Sequence, residues 1–327
     1  MSGEATRALS QATLAAVARR LDPAARLIAA RPLAGGVSAT MIALDLEGGG
    51  GDRTVILRLP GPENLKADPQ SAAHEHRLLG LLAERRIPAP RPLLLDTTRD
   101  LVAMDYLVIG WLDGAVDFAP ADPLAAVHAM AELLARIHGI RDSPDFAFLP
   151  LHRNPLGLQE GGYLADDHPA RLDADEGRTV ERLVKTGHLE SVASRSVLLH
   201  GDFWPGNMLW RDGSLVAALD WEDAAIGHPL SDVAIARLDI AIFFGMEAAE
   251  AFTKRYAARA RQDLSALPLW DLYACQRAPA DYAAWGQDWA EQGRPDIDAA
   301  AMERGRSAIL ARALEALDRE ARDLPFI

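Results

Sequence analysis

The hydrophobic pattern of the chain changes about one third of the way along it. In the first third, short apolar runs bounded by Gly, Pro and charged residues predict strands. These predicted strands cover 41–46, 54–59, 93–95 and 101–107. Apolar residues recur every three or four positions over 5–21 and 70–86, and this period predicts helices. From about residue 111 onward the pattern is mostly helical.

This change of pattern predicts an α+β protein of two lobes. The first lobe, 1–109, would combine an antiparallel sheet with a helix, and the second, 110–327, would be mainly helical. The strands 41–46 and 54–59 flank the sequence GGGGD, which predicts a hairpin with a flexible tip. Because ligands commonly bind in clefts between lobes, the same division predicts a cleft as the ligand site.

The charge of the chain bears on its partners. The 327 residues include 47 acidic and 34 basic side chains, a formal net charge of −13. A protein that binds nucleic acid needs a basic surface, so we expect no nucleic-acid partner. The acidic charge is compatible with a cationic small substrate and, more simply, with solubility alone.

Cysteine content and apolar runs bear on location. Cys275 is the single cysteine, which excludes an internal disulfide and a cysteine-based zinc site. The first 22 residues lack the continuous apolar core of a signal peptide, and no run of 18 apolar residues predicts a membrane-spanning helix. We therefore expect a cytoplasmic protein that does not associate with membranes.

The candidate chemistry lies in the segment LLHGDFWPGNMLWRDGSLVAALD, residues 198–220. Apolar runs at 197–199, 208–210 and 215–219 predict three short strands. The turn sequence RDGS makes the last two antiparallel, which would bring Asp220 back toward the loop that carries Asp202 and Asn207. An amide oxygen and a carboxylate suit a hard cation such as Mg²⁺. Asp202 would then act on a substrate proton.

The spacing H-x-D-x-x-x-x-N, followed by a strand and an Asp, is similar to the catalytic loop of kinases. In more detail, HGDFWPGN and LDWEDAAIGHPLSDVA resemble the aminoglycoside phosphotransferase and choline kinase family. The resemblance extends over both predicted lobes. It implies a protein-kinase-like two-lobe fold, with nucleotide binding in 1–109 and the catalytic loop, metal site and acceptor pocket in 110–327. It also implies direct transfer of the γ-phosphoryl group of ATP or GTP, with Mg²⁺, to a hydroxyl of a small molecule.

The same resemblance assigns roles within the catalytic loop. Asp202 matches the catalytic base that accepts the proton of the substrate hydroxyl. Asn207 and Asp220 match the ligands of Mg²⁺. His200 belongs to the catalytic loop as a structural residue. Asp232 matches a residue that supports the loop by hydrogen bonds, although the N-cap of a helix is an equally good interpretation.

In the first lobe, Gly35, Gly36 and Ser38 resemble the family's Gly-rich turn, whose backbone N–H groups cradle phosphate. Arg58 stands where kinases usually have a phosphate-binding Lys, and Arg is also a phosphate ligand. Glu75 lies on the apolar stripe of the helix at 70–86. A buried carboxylate there needs a cationic partner, so we predict an ion pair between Glu75 and Arg58.

The segment Met104, Asp105, Tyr106 and Leu107 resembles the hinge that joins the lobes. In the family, the backbone of this hinge binds the edge of adenine. An ordinary buried strand would have the same pattern of side chains.

The acceptor is predicted to be a small molecule and not a protein. Trp204 occupies the position where protein kinases usually have a Lys, and the segment from Asp220 to Asp232 is too short for a peptide-binding activation loop. An aminoglycoside-like molecule and an amino alcohol are both compatible with the resemblance. Aromatic and acidic side chains near the C-terminus could line the acceptor pocket, or they could pack helices together. They are Trp270, Tyr273, Tyr282, Trp285, Trp289, Asp239, Asp271 and Asp281.

Two other functions remain open at this stage. Arg58 in place of Lys is compatible with a nucleotide-binding protein that has lost catalysis. A metallohydrolase could use His200, Asp202, Asp220 and His228 as metal ligands. The hydrolase hypothesis leaves the Gly-rich turn and the predicted ion pair of the first lobe without a role.

Overall fold

The computed structural model describes residues 9–33, 39–48, 51–152, 196–277 and 289–323. The chain divides into two compact units, Met1–Asp113 and Gly114–Ile327. The first unit holds an antiparallel sheet with helices and the second is mainly helical, so the predicted fold class is confirmed. Within the described part of the chain, no helix combines the length and the apolarity needed to cross a membrane.

The first unit is built on a five-stranded antiparallel sheet. Its strands are β1 (Arg26–Pro32), β2 (Ala39–Glu47), β3 (Arg53–Pro60), β4 (Pro92–Asp96) and β5 (Tyr106–Gly110). Their spatial order is β1–β2–β3–β5–β4. The predicted hairpin is confirmed, because β2 and β3 pair from Ala39 opposite Pro60 to Leu46 opposite Arg53.

Helix α1 (Gln11–Leu21) covers one face of this sheet. It begins after Ser10, whose hydroxyl oxygen accepts a hydrogen bond from the N–H of Thr13 at 3.0 Å. Its buried residues, such as Leu14, form a core with alternate residues of β3, such as Leu57. Side chains point alternately to the two faces of a strand, so Arg58, the residue after Leu57, faces the opposite side of the sheet.

Helix α3 (Ser71–Glu84) packs against β3, β4 and β5 through Leu78, Leu79 and Leu82, all buried. It confirms the helix predicted at 70–86. A shorter helix, α2 (Pro62–Ala67), precedes it and was not predicted, because one and a half turns without a buried residue leave no apolar period. The edge strand β1 was missed for a similar reason, since most of its residues are exposed.

The strand predicted at 101–107 is wrong in position. Strand β5 starts at Tyr106 and continues to Gly110, and its first four residues are buried between β3 and β4. Residues 101–104 form bends that follow Arg99, which has the left-handed φ of 59°. The apolar run continues through both segments, so periodicity alone could not locate the turn between them.

The second unit is organised around one long helix. The α-helices among its described residues are α4 (Pro123–Ile137), α5 (Leu230–Ala260), α6 (Leu267–Arg277) and α7 (Ala299–Asp323). Helix α5 contacts each of the other three. Gly245 interrupts α5 with φ 85° and ψ 168°, backbone angles that only glycine adopts readily.

Short strands lead into the polar loops of the second unit. Strand β10 (Ala225–Gly227) pairs parallel with β6 (Leu151–His152) and antiparallel with β7 (Val197–Leu199). Strands β8 (Met208–Arg211) and β9 (Ser214–Ala218) form an antiparallel hairpin. The strands predicted at 197–199, 208–210 and 215–219 are therefore confirmed to within a residue.

Candidate active site

The loop that follows β7 is anchored by one buried carboxylate. Asp232 lies in the first turn of α5 with no exposed surface. Its Oδ2 accepts a hydrogen bond from the backbone N–H of His200 at 2.7 Å, and its Oδ1 accepts one from Gly201 at 3.0 Å. The predicted support of the loop by Asp232 is confirmed.

Two further side chains complete this anchor. His138, the residue after α4, places Nε2 at 3.1 Å from Asp232 Oδ2, and its Nδ1 lies 2.7 Å from the hydroxyl of Tyr256 in α5. With a neutral imidazole, Nε2 donates to the carboxylate and Nδ1 accepts from the tyrosine hydroxyl. Burial by itself would raise the pKa of Asp232, but the hydrogen bonds from the His138 ring and from the backbone N–H of His200, with the electrostatic effect of the two imidazoles, outweigh it and hold that pKa below its usual value.

His200 acts within the loop through its ring nitrogens. The ring is fully buried against Trp221 and Phe203, and burial lowers the pKa of His200. The neutral ring donates from Nε2 to the carbonyl of Leu219 at 2.9 Å, and Nδ1 faces the backbone N–H of Asp202 at 3.4 Å. His200 therefore ties the loop to the end of β9, in agreement with a structural role and not with acid–base chemistry.

Asn207 contacts both Asp202, the predicted base, and the residue before Asp220, the other predicted metal ligand. Its amide nitrogen donates to the backbone carbonyl of Asp202 at 2.9 Å and to the carboxylate of Asp202 at 3.0 Å. Because the nitrogen end makes both bonds, the oxygen end of the amide is the atom that could bind a cation. The carbonyl of Asn207 also accepts from the N–H of Leu219 at 2.8 Å, which links it to the residue before Asp220.

The backbone of this site uses residue types that tolerate a positive φ. Gly201 has φ 86°, and a Cβ added to it would lie 2.0 Å from the carbonyl oxygen of Asp223. No side chain could fit at Gly201 without moving the backbone. Asp220 has φ 58°, a left-handed conformation that Asp adopts more readily than most residues do.

The donor set fits a magnesium ion. Asp220 offers a carboxylate and Asn207 an amide oxygen, and Mg²⁺ is commonly held by one or two protein oxygens together with water and phosphate. The site does not fit the metallohydrolase hypothesis. Among the residues that the structure describes, no group of three or more His, Cys, Asp or Glu could hold a metal ion. His228 stacks on Trp270, and its Nδ1 lies 3.2 Å from the N–H of Leu230.

The ion pair predicted in the first unit is confirmed. Arg58 Nε lies 2.8 Å from Glu75 Oε2, and the two side chains are only 6% and 12% exposed. The bond crosses from β3 to α3 and fixes the direction of the guanidinium group. The Gly-rich turn that contains Gly35, Gly36 and Ser38 lies outside the described residues.

The segment predicted as a hinge lies inside the first unit. Leu107 sits between Arg58 of β3 and Leu95 of β4, and Tyr106 sits opposite Asp96. The hydroxyl of Tyr106 donates to Asp96 at 2.8 Å, while Asp105 pairs with Arg99.

The prediction that Met104, Asp105, Tyr106 and Leu107 lie at the hinge that joins the lobes is therefore corrected as to position. This segment enters the sheet as the start of β5, and the strand leaves the sheet at Gly110. The prediction failed because it rested on the misplaced strand at 101–107.

The aromatic side chains predicted for an acceptor pocket serve mainly in packing. Trp270, Tyr273 and Trp289 are buried. Asp271 forms a buried ion pair with both Nε and Nη2 of Arg237, at 3.1 Å each. Burial raises the pKa of Asp271 in spite of this pair. Asp239 is partly exposed on α5, and the remaining predicted members, Asp281, Tyr282 and Trp285, lie outside the described residues.

His138 and Tyr256 were not predicted as members of the site. Each is a single polar group at the apolar face of its helix, which is also how an ordinary packing residue appears. Their partnership with Asp232 depends on helix packing between α4 and α5.

Comparison with known proteins identifies a family whose model matches most of the chain. A model described as the phosphotransferase enzyme family matches residues 29–271. Acyl-CoA dehydrogenase family member 11 of Rattus norvegicus is 24% identical over an alignment of 198 residues, and the alignment covers 56% of this chain and 25% of that protein. The chain therefore spans about a quarter of the length of this curated relative.

Solved structures show the same two-lobe, protein-kinase-like fold. The apoenzyme of macrolide 2′-phosphotransferase MphH from Brachybacterium faecium aligns with a TM-score of 0.53 and 19% identity, covering 96% of this chain and 99% of that one. The GDP complex of wild-type aminoglycoside 2′-phosphotransferase-IIIa aligns with a TM-score of 0.58 and 15% identity, covering 96% and 100%.

Proposed function

Because the chain belongs to the phosphotransferase enzyme family, we propose that it transfers the γ-phosphoryl group of ATP or GTP to a hydroxyl of a small molecule. One observation carries the proposal. The amide nitrogen of Asn207 donates a hydrogen bond to the carboxylate of Asp202, and this leaves the amide oxygen to bind a metal ion. A base and a metal ligand are thus fixed by one side chain.

The reaction follows from this arrangement. The acceptor oxygen attacks the γ-phosphorus in line, the bond from that phosphorus to the β–γ bridging oxygen breaks, and the nucleoside diphosphate leaves. The carboxylate of Asp202 orients the acceptor hydroxyl and takes up its proton. Such a base contributes about 10²–10⁴-fold to the rate. No phosphoenzyme is needed, since the acceptor attacks directly.

Asn207 and Asp220 would hold Mg²⁺, which supplies charge compensation for the phosphate oxygens when it is bound. Strong anchoring of the loop supports this assignment. Asp232 fixes the N–H groups of His200 and Gly201, and His200 in turn holds Leu219, the residue before Asp220. The loop and the end of β9 are therefore positioned together.

In the first unit, we assign Arg58 to the phosphates of the nucleotide. Its guanidinium can form two parallel hydrogen bonds to phosphate oxygens, unlike the point charge of a Lys. The pair with Glu75 argues against a degraded site, because the anionic partner expected of a working phosphate-binding base is in place. We propose that the Gly-rich turn with Gly35, Gly36 and Ser38 adds backbone N–H groups to the same phosphates.

Calorimetric titration of the purified chain with ATP and with GTP, each with and without Mg²⁺, tests the proposal. Binding that Mg²⁺ strengthens in the wild type and no longer strengthens in Asp220→Asn is the expected result. Glu222→Gln is a matched control, since it removes a neighbouring carboxylate without touching the assigned ligands. Absence of binding for both nucleotides under all conditions would refute the assignment.

Binding without any transfer to a broad panel of alcohols would instead favour a nucleotide-binding protein that has lost catalysis.

A further inference from the structure

A pocket of about 760 Å³ lies in the second unit beside the interruption of α5 at Gly245. Its volume is in the range of pockets that hold small molecules. Most of the residues that line it are apolar, among them Phe118, Pro123, Ile242 and Phe243. The pocket therefore offers apolar contact to a hydrocarbon or aromatic surface.

Arg294 lines one wall of this pocket, and its positive charge is paired there with the carboxylate of Asp296. Its Nη1 donates to the carbonyl oxygens of Phe118 at 2.8 Å and Phe243 at 2.5 Å. The helix is interrupted two residues after Phe243, at Gly245, so Arg294 supplies a donor close to this break. Nε and Nη2 bind both carboxylate oxygens of Asp296, at 2.8 and 2.7 Å. The carboxylate of Asp296 is thus already paired with a cation.

The pocket is connected to the catalytic loop through aromatic rings. Trp204, two residues after Asp202, places its ring centroid 5.8 Å from that of Phe118 and 6.0 Å from that of Phe243. The Trp204 ring is fixed against the loop, because a Cβ added to Gly206 would lie 2.2 Å from it. A molecule in the pocket would therefore touch residues that contact the loop of the assigned base.

We propose that this pocket receives the apolar body of the acceptor, and that the acceptor is an uncharged or acidic alcohol, not a polyamine. The inference rests on the proposed phosphotransferase function and names its substrate class. A cation on this lining would lose part of its hydration, and Asp296, the carboxylate of the lining, is largely exposed to water and already bound by two nitrogens of Arg294. Exposed Arg304 adds a further positive charge to the lining.

The test measures binding without nucleotide. Line broadening of 1,2-octanediol in ligand-observed NMR would report its binding to the full chain, with choline and kanamycin as competitors. Ala308→Phe fills the pocket from α7, whereas Ala311→Phe places the same ring at an exposed position of that helix. Thermal melting of both variants would establish that they fold.

We expect the diol to bind to the wild type and to Ala311→Phe, and to bind about tenfold or more weakly to Ala308→Phe. Choline and kanamycin should not displace it. Unchanged diol binding in a folded Ala308→Phe, or displacement by either cation, would overturn the proposal, and so would absence of diol binding to the wild type.

A separate ³¹P NMR measurement with Mg²⁺ and ATP then follows phosphorylation of the diol. Diol binding without any nucleotide binding would count against the proposed phosphotransferase function while the pocket assignment stands. Nucleotide binding with transfer to kanamycin or choline, and none to the diol, would leave the proposed function and remove the inference about the acceptor.

Discussion

The imidazole of His138 donates a hydrogen bond to the carboxylate of Asp232 at 3.1 Å, and both side chains are almost completely buried. This bond joins the end of α4 to the first turn of α5. Because the same carboxylate accepts hydrogen bonds from the N–H groups of His200 and Gly201, the packing of two helices determines where the loop that carries Asp202 lies.

Loss of this donor should therefore affect both stability and turnover. His138→Ala leaves the buried carboxylate of Asp232 with one partner fewer, and we expect the free energy of unfolding to fall by about 1–3 kcal/mol. Tyr256→Phe removes only the hydroxyl that contacts His138, and its expected cost is about 0.5–1.5 kcal/mol. Denaturant unfolding of the two variants and the double variant would measure both values and their coupling.

A structural role for His138 confined to helix packing would lower stability and leave kcat unchanged at a temperature where the variant is folded. A role in positioning the loop would lower kcat while the affinity for Mg²⁺ and nucleotide stays near that of the wild type. His138→Gln, which keeps an N–H donor, should recover part of the lost kcat.

The pH dependence of stability should reveal the neutral His200. Its pKa is lowered in the folded chain, whereas in the unfolded chain it is near the ordinary value of about 6.5. Below that value the unfolded state binds more protons, so stability is complete above about pH 6.5 and declines as pH falls below it. His200→Gln keeps a side-chain N–H but cannot titrate, so its stability should fall less between pH 7 and pH 5.

Urea unfolding of both proteins across this range would measure the difference. Parallel curves of stability against pH would show that His200 has the same pKa folded and unfolded, contrary to its burial.

The sequence could predict those parts of the site that follow from a local pattern. It could not predict the parts that depend on contacts between residues far apart in the chain. The β8–β9 hairpin was predicted because its turn residues are adjacent, and this placed Asp220 near the loop. The ion pair of Arg58 with Glu75 was predicted because a carboxylate on an apolar stripe requires a partner. Both inferences use a local pattern and one physical rule.

The partnership of His138 with Tyr256 spans 118 positions, and no local pattern signals it. The aromatic residues of α6 were ambiguous for a different reason. Trp270 on a helix has the same period whether it lines a pocket or packs a core, and only the packing of α5 with α6 decides between them. The pocket itself depends on the interruption at Gly245, a single glycine within a long helical pattern.

The close approach of Gly201 to Asp223 predicts an unusual sensitivity to one methyl group. Gly201→Ala combines a positive φ with a Cβ that would lie 2.0 Å from a backbone oxygen. Gly213→Ala is a matched control, because Gly213 also has a positive φ, 70°, but its Cβ would meet no atom within 4 Å. We expect the control to cost about 1 kcal/mol and Gly201→Ala to cost clearly more.

Thermal unfolding and kcat, measured on both variants, test this expectation. Equal losses of stability would mean that the backbone at Asp223 moves aside without resistance. A larger loss confined to Gly201→Ala, with reduced turnover, is the expected result, because the displaced loop carries Asp202.

The assigned base and the assigned metal ligand should fail in different ways. Asp202→Asn preserves the shape of the side chain and its bond to Asn207 but cannot accept a proton. We expect it to bind nucleotide with Mg²⁺ as the wild type does and to lower kcat by about 10²–10⁴-fold. Asp220→Asn should instead lose the dependence of nucleotide affinity on Mg²⁺, because an amide is a weaker ligand of this ion than a carboxylate.

Titration calorimetry and single-turnover kinetics on the two variants separate these effects. If Asp202→Asn turned over at the wild-type rate, another group would have to take the proton. If both variants lost Mg²⁺-dependent binding alike, Asp202 would itself belong to the metal site, and the division of roles across Asn207 would be wrong.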